Sequence, residues 1–301
     1  MPDEESAVDY DVIQERRHLM ALAFRMLGTV AEAEDAVQET YTRWYRMSQN
    51  DRDAIVVPRA WLTRVASRVC LDVLASARVR HEQYVGPWLP EPVPLTAFAE
   101  NEPDPLDRVT LDESISTALL VVLEAMTPAE RVAFVLHDVF ALPFAEIGEI
   151  VGRSPAACRQ LATSARRRVD QRRARQVPRS EHDAVVKAFA AASRNGDLQA
   201  LVTALDPAVV LRSDGGGVVT AARNPVFGSD RVARFLLGVL QKNDRMEVLE
   251  QDTPDGLGFA IWEEGRIIGV VTLEVVGGRI AEVRMVLNPG KLSLWNEAVP
   301  S

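Results

Sequence analysis

Hydrophobic positions recur every three to four residues through 10–85, a period that predicts helices. One apolar stripe runs through Val37, Tyr41 and Trp44, with acidic residues on the other faces of the same helix. A second stripe of the same period lies within 62–73. We therefore expect an all-α domain over 10–85.

The helical pattern stops at 86–113, a stretch with six prolines, seven acids and one arginine. Proline removes backbone donors and disfavours helix in the residue before it, so we predict an extended acidic linker. Its apolar segment, Trp88, Leu89 and Pro90, is unusual for a solvated tether. We expect this segment to be docked on a folded surface.

Helical periodicity returns over 114–178. Thr127-Pro128-Ala129-Glu130 predicts a capping box at a helix start. The next helix ends at Gly152, and Ser154 is placed to cap the helix that follows. A short helix, a glycine turn and a second helix with a polar outer face have the form of a helix-turn-helix. The alternative interpretation is a helical hairpin with a solvated basic surface.

From 181 to 295 the pattern changes to one or two helices followed by short β-like runs, which predicts an α+β domain. The Asp214–Gly217 turn separates two such runs, the second being Val218–Ala221, and Gly277-Gly278 predicts a tight hairpin. Residues 281–287 alternate, so we expect one buried and one largely polar face.

Charge first argues against a nucleic-acid ligand, because the 301-residue chain has a net charge of −9. The average conceals an asymmetry, since residues 153–179 hold nine arginines and one aspartate, a net charge of +8. This basic segment lies on and after the second helix of the predicted helix-turn-helix. The segment can therefore contact bases and phosphates of DNA.

Several classes are excluded. No apolar run approaches the roughly 18 residues of a membrane span, and the acidic start is not a signal peptide. Cys70 and Cys158 lie far apart in helical patterns, which favours buried thiols in a reducing cytoplasm over a disulfide. The four histidines have no ligand spacing, so we expect no metal and no cofactor.

Residues 22–45, which include Ala33-Glu34-Asp35-Ala36-Val37-Gln38-Glu39, resemble region 2 of sigma-70 family factors, as do Pro58-Arg59-Ala60-Trp61-Leu62 and Asp72. Residues 127–168 resemble region 4, whose helix-turn-helix reads the −35 promoter element. Because it has no long region 1 or region 3, the chain resembles extracytoplasmic-function sigma factors. The resemblance implies binding to the β′ clamp helices and β flap of RNA polymerase core, and to promoter DNA.

The remaining residues resemble one group of these factors, which has a C-terminal SnoaL-like domain of conical α+β fold. The group's linker motif is matched by Trp88-Leu89-Pro90-Glu91-Pro92. Its Asp-Gly-Gly-Gly-Lys motif is matched at 214–217, with Val218 in place of lysine, and its Asn-Pro-Asp-Lys-Leu motif at 288–292, with Gly290 in place of aspartate. We expect two all-α sigma domains, region 2 (10–85) and region 4 (114–178), joined by the 86–113 linker and followed by a SnoaL-like domain (181–295).

Site residues follow from this resemblance. Core binding is expected at Asp35, Gln38 and Glu39. Binding to the −10 element is expected at Arg64, Arg68, Arg78 and Arg80. Binding to the −35 element is expected at Ser154, Arg159, Gln160, Thr163, Ser164, Arg166 and Arg167. Regulatory contacts between domains are expected at Trp88, Leu89, Pro90, Asp214, Gly215, Gly216, Gly217, Asn288 and Pro289.

Alternatives remain open. The acidic face can be ordinary solvated surface, Trp61 can face the core or an unstacked base, and Asp214–Gly217 can be a turn alone. The chain as a whole can be a one-component regulator with a ligand-binding cone, which leaves 10–85 unexplained. It can also be a SnoaL-like enzyme, although His182 is the only histidine of that domain. We expect a cytoplasmic transcription initiation factor without catalysis, and leave any small ligand of the cone unidentified.

Overall fold

The computed structural model describes residues 12–82, 84–95, 116–243 and 245–297, and the side chains of 77–82 are outside the description. The chain forms two compact units. The first comprises residues up to 80 together with 122–169, and the second comprises 81–121 together with the residues from 170 onward. Among the described helices, none is both long and apolar enough to cross a membrane.

The first unit contains the predicted N-terminal helices. They are α1 (Arg16–Leu27), α2 (Val30–Arg46), α3 (Gln49–Asp53) and α4 (Pro58–Glu82). Thr29 caps α2 by accepting from the Glu32 amide, and Gly28 ends α1 in the left-handed conformation with φ of 82°. Val37 and Trp44 of the predicted apolar stripe are buried and Tyr41 is half-buried, while Phe24 of α1 is fully buried.

Four more helices follow the linker: α5 (Thr117–Glu124), α6 (Pro128–Phe134), α7 (Phe144–Val151) and α8 (Pro155–Arg173). The predicted capping box is confirmed, because Thr127 accepts from the Glu130 amide while the Glu130 carboxylate accepts from the Thr127 amide. Gly152 ends α7 with φ of 70°, and Ser154 Oγ accepts from the Ala157 amide. Both ends of the predicted helix-turn-helix turn are therefore confirmed.

The second unit contains the α+β domain. Its elements are α9 (Arg179–Arg194), α10 (Leu198–Ala204), β1 (Leu205–Asp214), β2 (Val226–Phe227), α11 (Ser229–Lys242), β3 (Glu247–Thr253), β4 (Gly256–Glu263), β5 (Arg266–Val276), β6 (Arg279–Val286) and α12 (Ser293–Glu297). The strand order is β2-β1-β6-β5-β4-β3, with β1 parallel to β6 and the other pairs antiparallel.

Both faces of this sheet are covered. Residues of α9–α11 and one sheet face form the larger core, which includes Phe189, Val232 and Val283. The other face carries a smaller cluster that contains Leu89 of the linker and Trp295 of α12. Gly277 and Gly278 form the β5–β6 hairpin with φ of 57° and 73°, as predicted.

Two details differ from the sequence prediction. Residues 218–221 form no strand, because they belong to the turn after β1 and Val218 is 74% exposed. The polar face of β6 is not solvated, since Glu282 and Arg284 are both buried. Alternation identifies which side chains share a face, but it does not show that a second layer covers the polar one.

Candidate functional site

The basic face of α4 contacts helix α7 within the first unit. Arg64 Nη1 lies 3.3 Å from the Glu149 carboxylate, and Arg68 Nη2 donates to the Glu149 carbonyl at 3.0 Å. Two of the four predicted −10 arginines are therefore held by the helix-turn-helix. Arg78 and Arg80 are in the α4 backbone range, but their side chains lie outside the description.

Part of the acidic face of α2 is exposed, although Glu34 pairs with Arg16 at 3.2 Å. Asp35 and Gln38 are exposed, whereas Glu39 forms an ion pair with Arg43 one turn later, at 2.8 Å. On the opposite side, Trp44 meets Trp61 edge to face with ring centroids 5.3 Å apart. This contact favours the core role for Trp61 over the base-facing one.

The outer face of α8 presents Arg159, Gln160, Thr163 and Arg167 to solvent. Arg159 also lies over the Phe144 ring, with its Cζ 5.3 Å from the centroid. These side chains are spaced along one exposed helix face. This is the arrangement that major-groove contacts require.

Other candidates on α8 are already engaged inside the first unit. Ser164 donates to Glu130 at 3.0 Å, and Arg166 Nε donates to Asp138 at 2.7 Å. Arg168 forms an ion pair with Glu130 at 3.1 Å. Burial opposes ionisation of Glu130, but hydrogen bonds from Thr127 and its other partners lower the pKa of its carboxyl below the usual range. The basic charge of α8 is thus divided between exposed and internally neutralised arginines.

Further contacts join α1 to the α6–α8 helices. The buried Arg131 guanidinium donates to the Met26 carbonyl at 2.8 Å and pairs with Glu124 at 2.6 Å. His18 packs edge to face on Phe140, with ring centroids 5.3 Å apart. Burial, with Arg59 and Arg25 nearby, lowers the pKa of His18 to about 4.

In the second unit, the carboxylate of Asp214 is fully buried at the end of β1 and binds the linker. It accepts from the Leu89 amide at 2.9 Å and from the Tyr84 hydroxyl at 2.5 Å. It also accepts from the Gly216 amide at 3.0 Å. Burial, followed by the hydrogen bond to Asp214, raises the pKa of Tyr84 above its usual range.

Lys291 completes this arrangement. Its ammonium lies 2.8 Å from the Asp214 carboxylate and donates to the Leu89 carbonyl. It also lies 4.1 Å from the centroid of the Trp88 ring, a cation–π distance. We call Tyr84, Trp88, Leu89, Asp214, Asn288 and Lys291 the linker clasp. It fulfils the expectation of a docked linker, since Trp295 Nε1 also donates to the Pro92 carbonyl at 2.8 Å.

The glycines after Asp214 are required by close approach. A Cβ on Gly216, where φ is 64°, would lie 2.5 Å from the Asn288 side chain. A Cβ on Gly217, where φ is 74°, would lie 3.1 Å from Val85 of the linker. The loop is therefore both a turn and a docking surface for the linker, while Gly215 packs on Ala221.

A second attachment holds the start of α5, beyond the linker. The amides of Thr117 and Ala118, at the start of α5, donate to the Asp255 carboxylate at 2.9 and 2.8 Å. Asp255 lies in the turn between β3 and β4. The described segments before residue 96 and after residue 115 are therefore both bound by the α+β domain.

The covered sheet face holds a cluster of three arginines and two glutamates: Arg172, Arg212, Arg284, Glu274 and Glu282. Burial opposes ionisation of Glu282, but Arg284 and Arg212 lower the pKa of its carboxyl. Arg172, from the basic segment, thus forms its ion pairs inside the second unit. Arg179 likewise pairs with Asp252 at 2.8 Å.

His182 has a structural position. It is buried on α9, where Nε2 lies 3.2 Å from the Leu273 carbonyl and Nδ1 lies 3.0 Å from Asp183. A Cβ on Gly256 would lie 2.5 Å from its ring. Among the described residues, no group of three histidine, cysteine or acidic side chains is arranged to hold a metal.

Sequence reasoning missed two members of the linker clasp. Lys291 follows the predicted Asn288 and Pro289, and Tyr84 precedes the predicted Trp88. The only signal in the sequence was that this lysine and this tyrosine lie beside motifs already identified. The sequence does not show that both side chains would contact the Asp214 carboxylate. Of the predicted pair, Asn288 donates to the Tyr84 hydroxyl at 2.9 Å, whereas Pro289 is exposed.

Comparisons with known proteins identify the family of the two helical segments. The family model Sigma-70 region 2 matches residues 12–80, and Sigma-70, region 4 matches 116–169. The ECF RNA polymerase sigma factor SigJ of Mycobacterium tuberculosis is 47% identical over 230 residues, which cover 75% of this chain and 71% of the relative. The probable ECF RNA polymerase sigma factor SigI of the same species is 38% identical over 283 residues, 92% of each chain.

A solved structure also matches at full length. The crystal structure of the extracytoplasmic function sigma factor SigJ of Mycobacterium tuberculosis has a TM-score of 0.70 and 38% identity to this chain. The match covers 95% of this chain and 98% of that one. It therefore includes the helical regions and the α+β domain.

Proposed function

This chain belongs to the extracytoplasmic-function sigma factors of RNA polymerase. We propose that the arrangement described above is its silent form, the form in which regions 2 and 4 do not bind a promoter. Sigma factors bind core polymerase and promoter DNA and direct transcription initiation. The region 2 match accounts for the N-terminal helices that a one-component regulator leaves unexplained. The proposal is that the C-terminal SnoaL-like domain controls the change from the silent form to the promoter-binding form.

The binding surfaces follow the predicted residues. Asp35, Gln38 and Glu39 bind the β′ clamp helices, and region 4 binds the β flap. Arg64 and Arg68, with Arg78 and Arg80 farther along α4, hold the −10 strand. The −35 element is read from α8 by Arg159, Gln160, Thr163 and Arg167, while Ser154, Ser164 and Arg166 position the helix. The exposure of the α8 side chains supports this division.

The contact between Arg64 and Glu149 carries the proposal. Promoter elements at −10 and −35 are about 25 base pairs apart, which is about 85 Å at roughly 3.4 Å per base pair. Regions 2 and 4 cannot span that distance while Arg64 lies 3.3 Å from Glu149 of the helix-turn-helix. Promoter binding by both regions therefore requires this contact to break.

The SnoaL-like domain restrains that opening by shortening the linker. The 34 residues between α4 and α5 could extend roughly 110 Å if they were free. Asp214 and Lys291 hold the start of this segment, and Asp255 holds the start of α5. With both ends bound to one domain, the linker cannot use its full length. A contact within one chain also acts at high effective concentration.

Two substitutions in the full-length protein test this restraint. Asp255→Asn removes the carboxylate that caps α5, and Lys291→Met removes the cation of the linker clasp. We expect the double variant to increase promoter-specific transcription with core polymerase about tenfold, corresponding to about 1.4 kcal/mol of lost restraint. In vitro transcription on a random promoter library measures the output and reports both promoter elements.

The control is Asp206→Asn, which neutralises another carboxylate that accepts from a backbone amide, that of Ala208, and that has no hydrogen bond to the described part of the linker. Its output should equal that of the unmodified protein. Unchanged core affinity, promoter affinity and output in the folded double variant would contradict the regulatory role.

We assign the domain no catalytic role and place the protein with polymerase in the cytoplasm. General acid–base chemistry usually needs a histidine or paired carboxylates at the reacting site. His182 is instead committed to the Leu273 carbonyl and Asp183. His182→Ala should reduce stability but leave the response of transcription to the linker variants intact.

A further inference from the structure

The SnoaL-like domain contains a large open cavity of about 1210 Å³. It lies among the end of α11, the β4–β5 hairpin and the segments around Val219 and Pro289. Most of its wall is apolar, including Val239, Met246 and Ile268. Small-molecule pockets are commonly about 300–1000 Å³ and mainly apolar, so this cavity has room for an extended apolar ligand.

The polar groups of the wall are asymmetric in charge. Lys242 ends α11, and Arg266 begins β5, and both are exposed at the cavity. Glu263 is opposite Arg266 in the β4–β5 pairing, but within the described ranges none of the three is in an ion pair. Two cations against one carboxylate leave the cavity lining with a positive charge.

We propose that this cavity binds an amphipathic carboxylate. The apolar body lies against Val239, Met246 and Ile268, and the carboxylate pairs with Lys242 and Arg266. An apolar chain gains from burial in proportion to its area. The two cations distinguish the carboxylate from an uncharged molecule of the same length.

The same wall extends to the linker clasp. Val219 follows the glycine loop that contacts Val85, and Pro289 and Leu292 flank Lys291. A ligand that binds the cavity more tightly when the clasp is closed than when it is open stabilises the closed clasp. This regulatory step rests on the proposed function, whereas the binding site does not.

Calorimetry on the full-length protein tests the site with dodecanoate, and with dodecanol as the uncharged molecule of equal chain length. We expect dodecanoate to bind, and the Lys242→Gln, Arg266→Gln double variant to bind about tenfold more weakly. Val239→Trp should weaken binding, because the larger ring occupies part of the wall against which the apolar body lies. The control, Lys187→Gln with Arg231→Gln, neutralises two exposed cations outside the cavity and should leave the affinity unchanged.

Equal affinity for dodecanol and dodecanoate would overturn the carboxylate assignment. Undiminished binding by Val239→Trp, with an unchanged melting temperature, would overturn the cavity as the site, as would no binding by the unmodified protein. Hydrogen exchange of the Leu89 amide, which donates to Asp214, reports the clasp. Exchange should slow with dodecanoate, and unchanged exchange in the bound protein would overturn the coupling. The transcription assay of Asp255→Asn with Lys291→Met judges the proposed function separately.

Discussion

Two sets of contacts in this sigma factor differ sharply in burial. Between regions 2 and 4, the side chains of Arg64 and Glu149 are 39% and 60% exposed. In the linker clasp, the side chains of Lys291 and Asp214 are 6% and 0% exposed. Exposed ion pairs contribute below about 1 kcal/mol, whereas a broken buried pair costs about 3–5 kcal/mol.

The difference in burial indicates that the two sets of contacts break under different conditions. The contact between regions 2 and 4 is weak enough for competition by core polymerase and DNA phosphates. Under the proposed function, the buried linker clasp is the restraint that yields less readily. Predictions for the two sets should therefore differ in size, in pH dependence and in salt dependence.

The largest effect should come from Lys291→Met. The substitution keeps an apolar chain beside Trp88 but leaves the Asp214 carboxylate buried without its cation. We expect a loss of about 3 kcal/mol in the free energy of unfolding, measured by urea denaturation at pH 7. Lys187→Met, on the exposed face of α9, should change it by less than about 0.5 kcal/mol. A clasp variant as stable as this control would show that the buried pair contributes nothing.

The intermediate effect concerns His18, at the contact between α1 and Phe140. Its pKa is lowered from the usual 6.5 to about 4, mainly by burial. The unfolded chain therefore binds a proton at higher pH than the folded chain. The stability that neutral His18 provides is complete above pH 6.5 and is lost as the pH falls toward 4.

We expect the loss to be about 2 kcal/mol, below the full linkage value because the ring is partly exposed. Denaturation at a series of pH values should show the loss in the unmodified protein and not in His18→Gln. Parallel stability curves for the two proteins would contradict a titrating role for this ring.

The helices and hairpins were predictable because their signals are local. Thr127 and Glu130 are three residues apart and form the capping box, and Gly152 and Gly277 occupy left-handed positions that favour glycine. The docking of Trp88-Leu89-Pro90 was also predictable, since an apolar run in an acidic linker has no stable place in water. These predictions need only nearest neighbours in the chain and elementary sterics.

The pairing of charges was not predictable in the same way. The sequence shows nine arginines in 153–179, but not that Arg172 and Arg179 pair inside the C-terminal unit or that Arg166 meets Asp138. Such pairs join residues far apart in sequence, whereas composition gives only the net charge of a segment. The +8 segment therefore overstates the charge available to DNA.

The smallest effect on stability should come from Glu149→Gln. The Arg64 pair is exposed, so we expect a change below about 1 kcal/mol that decreases with added salt. The effect on DNA binding should be larger, because the variant releases the Arg64 guanidinium for phosphate contacts. Promoter binding with core polymerase should strengthen and its salt dependence should steepen by about one phosphate contact. Glu146→Gln, on the same helix and in no ion pair among the described residues, is the matched control. If both variants gave the same salt slope, the exposed contact would not be what keeps regions 2 and 4 from DNA, and the restraint would belong to the linker clasp alone.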